Sequence, residues 1–285
     1  MNLLIKSVNT QLILRCENVI GSDLLKSDFV KKYIPDVDIQ KIENNIDSGF
    51  VLNVTNTNTL LFTFENTQAT LNGLYKSDYS LEDLITIIDY YLEYRRQLEN
   101  IYSVSGSAVS KDNKGVLILG STSGLGKTTL ALNMCYSQKF KFIGDEKILL
   151  KSDSIIGGIK SIQFNKTWLN DSVPKDFDNK LIMESENVKI NLIIQPSISK
   201  VGSGLEIEKW DSLKTNFHLY EELTRKIRGI SRRISNYTYP LPSIDNEAIA
   251  MARSEFSRLI SESVEAYSIK GNIEEVMQKI NSLIS

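Results

Sequence analysis

The segment from Gly120 to Thr129, GSTSGLGKTT, holds the residues of this chain best suited to chemistry. It follows directly on the apolar run Val116-Leu117-Ile118-Leu119 and leads into Leu130-Ala131-Leu132. That order predicts a buried strand, a glycine-rich turn and a helix opening near Lys127. Such a turn suits a phosphate, because Gly124 and Gly126 admit positive φ and carry no Cβ to obstruct an anion. Backbone N–H groups of the turn then converge on it, and the helix N-terminus adds partial positive charge. In this reading Ser121, Thr122, Ser123, Gly124, Leu125, Gly126, Lys127, Thr128 and Thr129 form a nucleotide cradle. Lys127 reaches the β- and γ-phosphates, and the Thr128 hydroxyl ligates Mg²⁺. The usual pattern opens on glycine where this chain has Ser121, with Gly120 one residue earlier.

Phosphoryl chemistry also needs oxygen ligands for the cation and a base for a hydroxyl acceptor. Asp145-Glu146 offers two carboxylates after the predicted helix, at the end of a short strand Phe140-Lys141-Phe142-Ile143. If that strand neighbours 116–119, both loops open on one edge of a sheet, the edge at which α/β folds bind ligands. One carboxylate would hold Mg²⁺ and the other would take the acceptor's proton. Arg225, Arg228, Arg232 and Arg233 are candidate cations against the charge of the transferring group. The single histidine, His218, reads as a surface or structural residue. Cys16 and Cys135 fit no metal spacing, and Cys135 reads as a small buried hydrophobe.

The elements that must position these groups follow from periodicity. Up to about residue 75 the chain is β-rich, with Leu12-Ile13-Leu14, Phe50 to Val54 and Leu60 to Phe64 as short strands and Asn56-Thr57-Asn58 as a hairpin turn. A short helix is expected within 22–33. Ser80 to Asn100 is a helix with Ser80 as cap, Asp83 three residues on, and Leu81, Leu84, Ile85, Ile88, Tyr91 and Leu92 forming one apolar stripe. Ser105–Ala108 and Val116–Leu119 read as a hairpin, Ile148–Leu150 and 188–195 as further strands, and Leu205–Glu208 as an exposed one. Ser243 is placed to cap a helix carrying Ile249, Phe256 and Ile260. A last strand at 266–269 and a helix at 273–284 close the chain.

The 285 residues carry 33 basic and 35 acidic side chains, a net charge of −2, so no basic excess points to nucleic acid or to an anionic membrane. No apolar run approaches about 18 residues. The N-terminus lacks a signal-peptide core, which gives a cytoplasmic protein as the expectation.

Taken together, Ser105-Gly106-Ser107-Ala108-Val109, GVLILGSTSGLGKTTLAL and FIGDEKILL resemble the catalytic domain of the HPr kinase/phosphorylase family. The resemblance extends less specifically through INLIIQPSI, LEIEKW and VEAYSIKGNIEEVMQKI. It implies an α/β fold: a phosphoenolpyruvate carboxykinase-like P-loop kinase domain over 101–285, preceded by a small mainly β subdomain over 1–100. It implies an ATP- and Mg²⁺-dependent kinase that phosphorylates a hydroxyl, most naturally serine in a protein, peptide or small molecule. Lys127 and Thr128 would bind phosphate and metal, Asp145 would act as base, and Glu146 would assist with Mg²⁺. Family members often assemble, so a homo-oligomer is part of the expectation. Two departures stand out. Many members carry His in the strand before the loop, where this chain has Ser105-Gly106-Ser107, and this bears against phosphorylase activity. Many carry Asp-Asp where this chain has Asp145-Glu146. A nucleotide-binding regulatory module without chemistry and an NTPase without a phosphoryl acceptor are the rival readings.

Overall fold

Short alternating runs and capped amphipathic segments organise a computed structural model that describes residues 1–43, 49–120, 122, 124–162, 181–199, 204–228, 233–234 and 239–284. In chain order the elements are β1 (Asn2–Ser7), β2 (Thr10–Arg15), α1 (Asn18–Lys26), α2 (Val30–Tyr33), β3 (Val37–Ile42), β4 (Val51–Thr55), β5 (Leu61–Glu65), β6 (Gln68–Asn72) and α3 (Leu81–Leu98). They continue with β7 (Ile101–Val104), β8 (Gly106–Lys111), β9 (Lys114–Leu119), α4 (Lys127–Gln138), β10 (Lys141–Lys151), β11 (Ser154–Ile159), β12 (Val188–Ile198), β13 (Glu206–Lys209) and α5 (Ser212–Arg225). The last are β14 (Arg233–Ile234), β15 (Tyr239–Pro240), α6 (Glu247–Ser263), β16 (Glu265–Gly271) and α7 (Ile273–Ile284). The chain divides into two units, Met1–Asn100 with Thr224–Met251, and Ile101–Leu223 with Ala252–Ser285. The family resemblance implies a single domain over 101–285. Instead Ile227, Ile234, Leu241, Ile244 and Ile249 join the apolar core of the first unit, a choice that no local pattern signals.

The first unit is built on a mixed sheet in the order β3-β1-β2-β4-β6-β5, with β2–β4 and β4–β6 parallel. Because β6 sits between β4 and β5, Asn56-Thr57-Asn58 is a crossing connection and not the expected hairpin turn. The helix expected within 22–33 is two helices, α1 and α2. In α3 the predicted cap forms in full: the Ser80 hydroxyl accepts from the Asp83 N–H at 3.1 Å, and the Asp83 carboxylate accepts from the Ser80 N–H at 2.8 Å. The expected single stripe is too narrow. Ile87, Tyr90 and Tyr94 are buried as well, because other segments of this unit cover the remaining faces; the Tyr90 hydroxyl meets the carbonyl of Pro242 at 2.6 Å.

In the second unit β11-β10-β8-β9-β12 form a ring, closed by antiparallel pairing of β11 with β12, and the sheet continues through β16 to β13. The protein is thus a mixed α/β chain with an N-terminal mixed sheet and a five-stranded barrel. Side-chain alternation along β9 explains its unbroken apolar run. Val116 and Ile118 pack with α4 and α7, while Leu117 and Leu119 join a second cluster with Tyr102, Ile148 and Phe256. Helix α6 is capped by Asn246, whose Oδ1 accepts from the Ile249 N–H at 3.0 Å, and not by Ser243. Among the described residues no helix is long and apolar enough to cross a membrane.

Candidate active site

β9 runs into the loop at Gly120, and α4 begins at Lys127, as the sequence order requires. Gly126 sits at φ +85° immediately before the helix, and a Cβ there would lie 2.5 Å from Cγ1 of Ile198. Only glycine meets both conditions, so the residue before Lys127 is fixed by conformation and by space. The far side of the loop is pinned by β12: the Ile198 N–H donates to the Leu125 carbonyl at 3.2 Å. The Lys127 ammonium turns back over the loop and donates to the Thr122 carbonyl at 3.0 Å. Gly124 and Thr122 are exposed, and Thr128 and Thr129 are half-buried. Ser121 and Ser123 lie outside the described residues.

Asp145 reaches this loop by a route other than the one expected. The strand carrying it does not neighbour β9. It pairs antiparallel with β8, which lies between them. Nor does the pair end a strand, since β10 runs unbroken from Lys141 to Lys151 with Asp145-Glu146 in its middle. Two irregularities make this geometry. Against β8, Phe142 faces Val109 while Gly144 faces Ala108, so β10 carries one extra residue. Against β11, Asp145 faces Ile159 while Ile148 faces Gly158, so Glu146 and Lys147 are extra there. The close crossing needs glycine, because a Cβ on Gly144 would stand 2.7 Å from the Cα of Gly158.

The result sets Asp145 beside the loop's hydroxyl. Thr128 Oγ1 donates to the Asp145 carboxylate, 2.9 Å from Oδ2 and 3.1 Å from Oδ1. Ser107 Oγ, itself fully buried on β8, donates to Oδ1 as well. Asp145 is 1% exposed, and burial, the foremost influence, holds its carboxyl above the ordinary aspartate range, against the lowering effect of the Ser107 and Thr128 hydroxyls. Glu146 is exposed and takes φ +62°, a left-handed conformation unusual for a residue with a side chain. Lys147, next along, is buried. Ser107 is the residue that sequence reasoning missed as a participant. It shares a strand face with Val109, but only the β8–β10 pairing brings it to Asp145.

The other candidates fall elsewhere. Arg225 and Arg228 belong to the first unit, and Arg232 and the side chain of Arg233 lie outside the described residues. His218 stacks on Trp210 with ring centroids 4.5 Å apart, and desolvation lowers its pKa, which suits a packed aromatic. Burial pushes the Cys135 thiol up to about 12, leaving it an uncharged, half-buried group. No group of three or more His, Cys, Asp or Glu able to hold a metal occurs among the described residues. No protein-family model matches the chain, and no curated protein matches it.

Proposed function

We propose that the protein is an ATP- and Mg²⁺-dependent phosphotransferase acting on a hydroxyl acceptor, and that its second unit carries a phosphoenolpyruvate carboxykinase-like P-loop domain of the HPr kinase type. The observation that carries this reading is the contact between Thr128, first turn of α4, and the buried Asp145 carboxylate. A glycine-tight loop, a lysine at its exit and a hydroxyl held by an acid are the parts a nucleotide tail requires. The donor set fits Mg²⁺, which takes hard oxygen ligands and commonly uses one or two carboxylates alongside substrate phosphates. Thr128 and Asp145 would hold it, and when bound it would neutralise charge on the phosphate oxygens.

The chain's own residues do the rest. Lys127 leaves the Thr122 carbonyl for the β- and γ-phosphates. The acceptor oxygen forms a bond to the γ-phosphorus, the bond to the β–γ bridging oxygen breaks, and the electron pair departs with ADP. The hydroxyl proton passes to a carboxylate of the acidic pair. Catalysis comes mainly from positioning and charge neutralisation.

The test is to incubate the full chain with γ-labelled ATP, Mg²⁺ and a cell extract, and to follow the label by mass spectrometry. Label on a hydroxyl of a protein, peptide or metabolite, reduced by roughly 100-fold in Lys127→Ala, supports the reading. Tight nucleotide binding with no labelled product points instead to a regulatory module. Inorganic phosphate released without an acceptor points to an NTPase. Absence of nucleotide binding overturns all three.

A further inference from the structure

A general base needs a lone pair that the acceptor can reach. Asp145 offers little: Oδ1 accepts from Ser107 and Thr128, Oδ2 accepts from Thr128, and only 1% of the residue meets solvent. Its neighbour is the opposite in each respect. Glu146 is exposed, and it is the first extra residue of the irregular stretch between Asp145 and Ile148. Its φ of +62° carries a conformational cost that persists only where surrounding structure imposes it. Bulges beside active sites re-aim side chains. This one separates two consecutive carboxylates into two environments, the first against a threonine hydroxyl in the core and the second in water.

From this division we propose that Glu146 is the catalytic base that takes the acceptor's proton, while Asp145 is a positioning residue that holds the Thr128 hydroxyl. The inference rests on the phosphotransfer reading and reverses the roles that the family resemblance implies. In the step, the acceptor O–H bond breaks, its proton goes to a Glu146 oxygen, and its electron pair forms the new bond to the γ-phosphorus. The bridging oxygen leaves with ADP.

The experiment uses the full-length chain, Mg·ATP as ligand, and water and free serine as acceptors, with binding measured by calorimetry and turnover by ADP formation. Glu146→Gln should bind Mg·ATP within about threefold of wild type and lose on the order of 100-fold or more in ADP formation. Asp145→Asn should lose about 10–100-fold in affinity for Mg·ATP while binding metal-free ATP as wild type does. Because Glu146 is exposed, its variant tests the base assignment without disturbing the core. Ser107→Ala, which leaves the Asp145 carboxylate in place, gives a milder version of the Asp145 effect should Asp145→Asn fail to fold. ADP formation retained by Glu146→Gln overturns the proposal. So does an Asp145→Asn chain that binds Mg·ATP normally yet forms no ADP, which would restore Asp145 as base. A wild type that binds no Mg·ATP sinks the phosphotransfer reading itself, a result distinct from either.

Discussion

Asp145 places a carboxyl group where almost no water reaches, and the consequence is a pH-dependent stability. Burial raises its folded pKa above the ordinary aspartate value, and the hydroxyls of Ser107 and Thr128 recover only part of the loss. The unfolded chain therefore releases this proton more readily than the folded one. Its ionisation works against the fold, so the Asp145 contribution becomes more unfavourable as pH rises from the ordinary aspartate range through the raised value, and is relieved on acidification. Urea unfolding midpoints across that window should show this dependence in wild type and its loss in Asp145→Asn. Superimposable profiles would argue that the fold does not raise the Asp145 pKa. At this scale the sequence was informative wherever residue type alone limits conformation or charge. Gly126 was legible because few alternatives fit a left-handed turn. Ser107 was not, since serine on a strand has no chemistry until a partner faces it.

Elements were legible where capping and periodicity agree. The Ser80–Asp83 box marks the start of α3, and its two reciprocal hydrogen bonds form as expected. Ser80→Ala should cost about 1 kcal/mol, read as a lowered urea midpoint with an unchanged slope. Where two cap-competent residues compete the signal fails: Ser243 and Asn246 are both suitable, and the path of the chain after Pro242 selects Asn246. Gly144-Asp145-Glu146 failed for a related reason. Those residues read as the end of a strand, yet the bulges of β10 absorb them within one strand, because pairing on both sides outweighs local propensity.

Within the first unit Arg96 is a buried charge. It is fully buried, with Asp89 and Glu93 on its own helix at 3.5 and 3.4 Å and the Ser7 hydroxyl at 2.8 Å. A buried ion cluster contributes little net stability while intact, but removing its cation leaves buried carboxylates poorly compensated. Arg96→Ala should destabilise the chain by about 3–5 kcal/mol, measured by urea unfolding. Replacing Arg96 and Glu93 together by methionine should cost less than the single change. A double variant as unstable as Arg96→Ala would show that packing, not charge, sets the loss.

Sequence by itself determined the local grammar of this protein: the glycine turn after an apolar strand, the lysine and threonine opening α4, the capped α3 and the pairing of β8 with β9. Each depends on interactions within a few residues, where conformational preference and spacing suffice. Tertiary structure alone decided that β8 separates β9 from β10, that Ser107 and Thr128 converge on Asp145, that Glu146 is left in water, and that Thr224–Met251 packs with the first unit. Those outcomes arise from strand order and from which apolar surfaces bury one another, long-range choices to which a single stretch of residues is indifferent.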